Sequence, residues 1–126
     1  MCNFLHEPVT KIKPEGVAYK LFNKVNGKYT PLCKAGYRLD RGDSLKWDDK
    51  EAEKRDRGGD GFCMMMTEKS ALKALNAFDP DRIYGDCICK IKYRGGLGKF
   101  REEKFTTKPT TIALCKEFQI IEEVAE

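Results

Sequence analysis

Alternation of apolar and polar positions, more than helical spacing, organises this chain. Val17-Ala18-Tyr19-Lys20-Leu21-Phe22 and Lys28-Tyr29-Thr30-Pro31-Leu32 flank Asn26-Gly27, a dipeptide that accepts the positive φ angles of a type I′ turn and so matches the twist of two paired strands. The spacing predicts a β-hairpin. Pro31 has no N–H to give to a ladder, which puts the second strand at an edge or ends it there. Gly61-Phe62-Cys63-Met64-Met65-Met66 is a short apolar run suited to a buried strand. Thr67 then serves as an N-cap, and residues 68–78 carry Ala71, Leu72, Leu75 and Phe78 on one stripe at helical spacing. Glu68 stands in the first turn, where the helix dipole favours an acid, and Asp79-Pro80 stops the helix.

Beyond the helix, residues 86–93 alternate again, with Cys87, Cys89, Ile91 and Tyr93 on one face and Lys90 and Lys92 on the other, the mark of a half-buried strand. The glycine loop Arg94-Gly95-Gly96-Leu97-Gly98 leads into residues 99–105, which are expected to return as its antiparallel partner. Residues 111–121 are rich in β-branched and aromatic side chains and form the last strand, long enough to need a bulge or bend inside it. Hairpin, loop, strand, helix, hairpin and strand add up to an α+β fold: an antiparallel curved sheet or small open barrel with one main amphipathic helix.

Length and composition set the frame. The 126 residues are expected to form a single domain, 1–126, with 35% charged and 40% hydrophobic residues, enough apolar area for one modest core. So small a domain leaves strand edges to cover, and a homodimer or higher homo-oligomer is the expected state. The opening Met1-Cys2-Asn3-Phe4-Leu5-His6-Glu7-Pro8 has neither the basic start nor the apolar stretch of an export signal. No apolar run approaches the roughly 20 residues that span a bilayer. A cytoplasmic protein with no membrane association is therefore expected, and its six cysteines are expected to be free thiols. Zinc is disfavoured, because the one close pair is Cys87-x-Cys89 and the single histidine, His6, is far away in sequence. No metal and no cofactor are called for.

Charge is distributed unevenly. Residues 38–60 hold seven basic and eight acidic residues with little apolar content besides Leu39, Leu45 and Trp47, a pattern that predicts a long solvated loop. Residues 86–108 hold seven basic and three acidic residues, an excess of +4 equal to that of the whole chain. Within them, Gly95, Gly96 and Gly98 allow successive amides to converge on one point, a concavity that binds phosphate or carboxylate oxygens. Arg94 and Arg101 would add bidentate contacts, with Lys92 and Lys99 as point charges. A plain turn whose lysines face water is the competing reading of the same residues. The glycines make neither a P-loop nor a dinucleotide fingerprint, because no helix follows them. A second candidate is residues 55–62, where Arg57 and Phe62 border a Gly-Asp-Gly turn; Trp47, a lone large aromatic in the charged loop, either pins that loop or stacks on a ligand. A net charge of +4 is low for extended nucleic-acid binding, which is not expected. For catalysis there is no serine elbow and no paired metal-binding histidines, and acid pairs such as Asp48-Asp49 point to opposite faces when extended.

Gly59-Asp60-Gly61-Phe62, Thr67 with the Ala71-Leu72-Lys73-Ala74-Leu75 helix, Ile91-Lys92-Tyr93-x-Gly95, and the closing Ala113-x-x-x-x-Phe118-x-Ile120-Ile121-Glu122-Glu123 together resemble small accessory proteins carried by phages and mobile elements. The resemblance spans roughly residues 17 to 123 and implies a host-takeover or anti-defence role, one form of which is a sponge that sequesters a cyclic or ADP-ribose-type nucleotide signal without cleaving it. Non-enzymatic binding of a small phosphorylated nucleotide ligand is thus the leading expectation. Two alternatives stand beside it: an inhibitor that binds a host protein or nucleoprotein through the basic hairpin, and a small nucleotide-cleaving enzyme.

Overall fold

The computed structural model describes residues 11–32, 37–47, 61–102 and 110–124, with the backbone alone at 99–102 and 110–111. In chain order the elements are β1 (Glu15–Val25), β2 (Lys28–Pro31), β3 (Ser44–Lys46), β4 (Phe62–Met64), α1 (Glu68–Phe78), β5 (Asp86–Arg94), β6 (Gly98–Glu102), β7 (Thr110–Cys115) and β8 (Glu117–Glu123). Five strands in the order β2-β1-β5-β8-β3 make one antiparallel sheet, and β4-β7-β6 make a second. The larger sheet curls into a half-barrel, and with its helix the fold is α+β, as the alternation predicts. No helix among the described residues is long and apolar enough to cross a membrane.

The hairpin forms where Asn26-Gly27 requires it: both residues have positive φ, 53° and 77°, and Val25 pairs with Lys28 across the turn. Pro31 sits on β2, an edge strand of the larger sheet, where its missing donor costs no ladder bond. α1 starts at the expected cap, the Ser70 amide donating to Thr67 Oγ1 at 3.1 Å. Its buried stripe is Ala71, Ala74 and Leu75, whereas Leu72 and Phe78 are each 39% exposed. Small side chains thus face the sheet, which lets the helix approach closely.

Two apolar clusters lie on opposite faces of the strands. Ala18 and Phe22 of β1, Cys89, Ile91 and Tyr93 of β5, and Phe118 and Ile120 of β8 fill the concave side with Phe62, Met64, Ala113 and Cys115 of the smaller sheet. Leu21, Ile88, Ile112 and Leu114 point the other way and pack with Ala71, Ala74 and Leu75 of α1. Period-two alternation on strands covered on both sides produces this division. Phe62 stands edge-on to Phe118 at 4.9 Å between ring centroids, an arrangement that aligns ring edge with ring face. Lys20 is buried at 3% exposure in the concave cluster. Its Nζ donates to the Cys63 carbonyl at 2.6 Å and lies 5.6 to 6.0 Å from the Phe118, Phe62 and Phe22 ring centres, so one charge is held by a carbonyl and three ring faces.

Four expectations are corrected. Residues 38–60 are not loop throughout: Tyr29 and Leu39 exchange two backbone hydrogen bonds of 2.8 and 2.9 Å, and β3 pairs with β8. Residues 98–102 do not return along β5, because both edges of β5 are taken by β1 and β8; β6 pairs with β7 instead. The long terminal strand breaks at Lys116 into β7 and β8, which belong to different sheets. The cysteines also differ from the reduced set expected: Cys63 is disulfide-bonded, whereas Cys87, Cys89 and Cys115 are free.

Candidate functional site

The glycine segment is a crossover between the two sheets. Gly95 adopts φ 67°, and the chain turns there so tightly that a Cβ would lie 2.8 Å from Lys116 Cβ. At Gly96 a Cβ would come within 2.5 Å of the Lys13 carbonyl oxygen and 2.9 Å of the Tyr93 ring. The amides do not converge on an open point. Gly96 N–H donates to Pro14 O at 3.0 Å and Leu97 N–H to Leu114 O at 2.9 Å, while the Lys116 amide is shared between the carbonyls of Arg94 and Gly95. Glycine is needed here for close backbone approach, and two of the donors a phosphate cradle would use are already occupied by the fold.

The sequence-derived candidates are accordingly dispersed. Lys92 and Arg94 remain together, two residues apart on the outward face of β5, both exposed. Gly98 is buried where β6 starts, opposite Leu114. Lys99 and Arg101 lie on β6, paired with Ala113 and Thr111, in a different sheet from Lys92. Phe62 is interior at 3% exposure. Trp47 packs edge-on to it at 5.2 Å and is anchored by its own amide, which donates to Lys116 O at 2.7 Å; Trp47 therefore pins its loop to the core. Arg57 lies outside the described residues, as does most of the 55–62 loop.

What the fold assembles around Lys92 and Arg94 is a groove of about 210 Å³ lined by Ser44, Lys92, Arg94, Glu117, Phe118 and Gln119. Register explains it. Val17, Lys92, Gln119 and Ser44 stand side by side across β1, β5, β8 and β3, and Glu15, Arg94, Glu117 and Lys46 form the next row. Arg94 thus lies between two acids, its Nε 4.0 Å from Glu15 Oε1, with both side chains over 60% exposed, so that pair holds it weakly. Lys92 has only neutral cross-strand neighbours, Val17 and Gln119. Gln119 Nε2 donates to Gly42 O at 3.0 Å, which fixes the amide beside the lysine. Further along the same outward face of β5, Ile88 is covered by α1; the helix ends its coverage before Lys92, and the basic half is left open.

Ser44 and Gln119 were not singled out from the sequence. Alternation marks Gln119 as outward, between buried Phe118 and Ile120, but its place next to Lys92 follows from strand order. Ser44 sits in a stretch whose charge reads as loop. No family model, curated protein or solved structure matches the chain.

Proposed function

We propose that this protein is a binding module that holds a small phosphorylated ligand, of the nucleotide class, in the groove across β5, β8 and β3 without turning it over. The observation that carries the reading is Lys92: an exposed ammonium with no acid opposite it on either neighbouring strand, in one concavity with a second cation, two neutral hydrogen-bonding side chains and a single acid, Glu117, which stands opposite Arg94. Lys92 supplies a point charge and Arg94 a planar fork for phosphate oxygens, with the Ser44 hydroxyl and Gln119 amide as neutral partners. At about 210 Å³ the groove is smaller than the roughly 300–1,000 Å³ of sites that enclose a whole ligand, so it seats the phosphate end and leaves the base outside. Sequestering a cyclic or ADP-ribose-type signal, the anti-defence role that the resemblance implies, fits such a one-ended grip.

The test is retention. The full chain is incubated with a panel of linear, cyclic and ADP-ribose-type nucleotides, desalted and denatured, and the released compounds are identified. Intact nucleotide recovered from wild type and lost from Lys92→Ala/Arg94→Ala supports the proposal. Equal retention by that variant places the ligand elsewhere, and recovery of a cleaved product makes the protein an enzyme.

A second reading, binding to a host protein, is favoured by a different surface. Between α1 and β5 the loop presents Ile83 and Tyr84 at 74% and 69% exposure. The loop is braced beneath them: the Asp79 carboxylate, 1% exposed, accepts from the amides of Tyr84 and Asp86 at 3.2 and 3.3 Å, and Asn23 donates to the Tyr84 carbonyl. Two large apolar side chains held out on an ordered loop suit a protein contact. The basic hairpin once expected to make that contact is not a hairpin, since β6 leaves for the other sheet.

A further inference from the structure

The concave face of the half-barrel carries a second constellation, away from the groove. Alternation along β5 puts Cys87 and Cys89 on the same face, two residues apart. Both are free; Cys89 is fully buried and Cys87 partly so. Across the strands, Cys87 lies opposite Phe22 on β1 and Cys89 opposite Glu123 on β8. Glu123 Oε1 accepts from both Lys24 Nζ and Tyr29 Oη at 2.9 Å, so its carboxylate is engaged by the hairpin. Lys24 follows Phe22 by two residues on β1 and forms its 2.9 Å ion pair with Glu123.

We propose that Cys87 and Cys89 form a two-sulfur site for a soft monovalent cation with a filled d shell, represented by Cu(I). Thiolates select soft ions over hard ones. Among the described residues no group of three or more His, Cys, Asp or Glu is placed to hold a metal, which disfavours a four-ligand zinc centre here and leaves a linear, two-donor geometry as the one this pair can supply. Half-buried Cys87 is the point of entry and buried Cys89 completes the pair, with the Phe22 and Tyr29 rings, 6.0 Å apart, as an apolar wall. Binding replaces two S–H bonds with two S–metal bonds and releases two protons, with no change of oxidation state. The resulting bis-thiolate complex carries one negative charge and lies beside the Lys24–Glu123 ion pair.

The experiment uses the full chain under anaerobic conditions, with Cu(I) added in the presence of the chromogenic chelator bicinchoninate. Wild type and Cys115→Ala, which removes a buried free thiol of β7, are expected to withdraw one Cu(I) per chain more than Cys87→Ala, and to do so more tightly at pH 8 than at pH 6, because protons compete for the sulfurs. Equal copper uptake by wild type and Cys87→Ala, or uptake that does not change with pH, overturns the proposal. X-ray absorption of the wild-type complex gives a check that does not depend on how the variants fold: two sulfur neighbours support the site, and a first shell of nitrogen or oxygen refutes it.

Discussion

Two glycine-containing bends look alike in the sequence and do different work. At Asn26-Gly27 the chain reverses between neighbouring strands, and a Cβ on Gly27 would meet nothing within 4 Å; only the positive φ of 77° asks for glycine. At Gly95-Gly96 the chain leaves one sheet for another, and both positions are crowded by Lys116, Lys13, Ile12 and Tyr93. The first bend is specified by backbone conformation alone. In the second, packing adds to conformation, and the amides are consumed in joining the sheets. A glycine run flanked by basic residues is therefore weak evidence for an anion cradle until it is known whether its amides are spoken for.

Substitution separates the two bends. Gly96→Ala is expected to have the largest effect, about 3 kcal/mol or more in urea denaturation, because the new methyl group would face the Lys13 carbonyl at 2.5 Å and a main-chain atom cannot swing away. A loss below about 1 kcal/mol would mean that the 12–14 segment yields and the crossover is not tightly packed. Gly95→Ala comes next, at about 1–3 kcal/mol, combining the left-handed backbone with the contact to Lys116 Cβ. Gly27→Ala should cost about 1 kcal/mol, all of it conformational. A cost at Gly27 equal to that at Gly96 would erase the distinction between the bends.

The smallest effect concerns how the hairpin is tied down. Lys24 and Tyr29, on either side of the Asn26-Gly27 turn, both donate to Glu123 on β8, and these hydrogen bonds, the Lys24 bond foremost, hold the Glu123 carboxyl below its ordinary value. A depressed carboxylate contributes stability above its unfolded pKa, about 4.3, and that contribution is lost as pH falls through the lower folded value. Because Glu123 is 37% exposed, the contribution is screened and small. Thermal melts from pH 7 down to pH 3 should therefore show a slightly shallower acid loss for Glu123→Gln than for wild type, with no such difference between Gly27→Ala and wild type. At the alkaline end the sign reverses. Burial pushes the Cys115 thiol up to about 11 and raises Tyr93 as well, so the stability from keeping them neutral is present below their unfolded values and declines as pH rises through the folded ones.

Much of the fold was legible. Asn26-Gly27 located the hairpin, Thr67 and the apolar spacing after it located α1, and the alternation of Cys87, Cys89, Ile91 and Tyr93 identified the inward face of β5, because each signal depends on residues within a few positions of one another. The candidate site was legible only in part. Lys92 and Arg94 were found from charge, while Ser44 and Gln119 were missed, and Lys99 and Arg101 were grouped with them although they belong to the other sheet.

The sequence by itself determined which segments become strands or helix and which side of each faces inward, since period and turn chemistry are short-range properties of the chain. Tertiary structure alone decided which strands became neighbours. That β8, and not β6, lies along β5 depends on how both edges of β5 are filled and on the break at Lys116. This pairing sets Gln119 and Ser44 beside Lys92, because strand neighbours are chosen by the total burial of both sheets and not by the residues of any one strand.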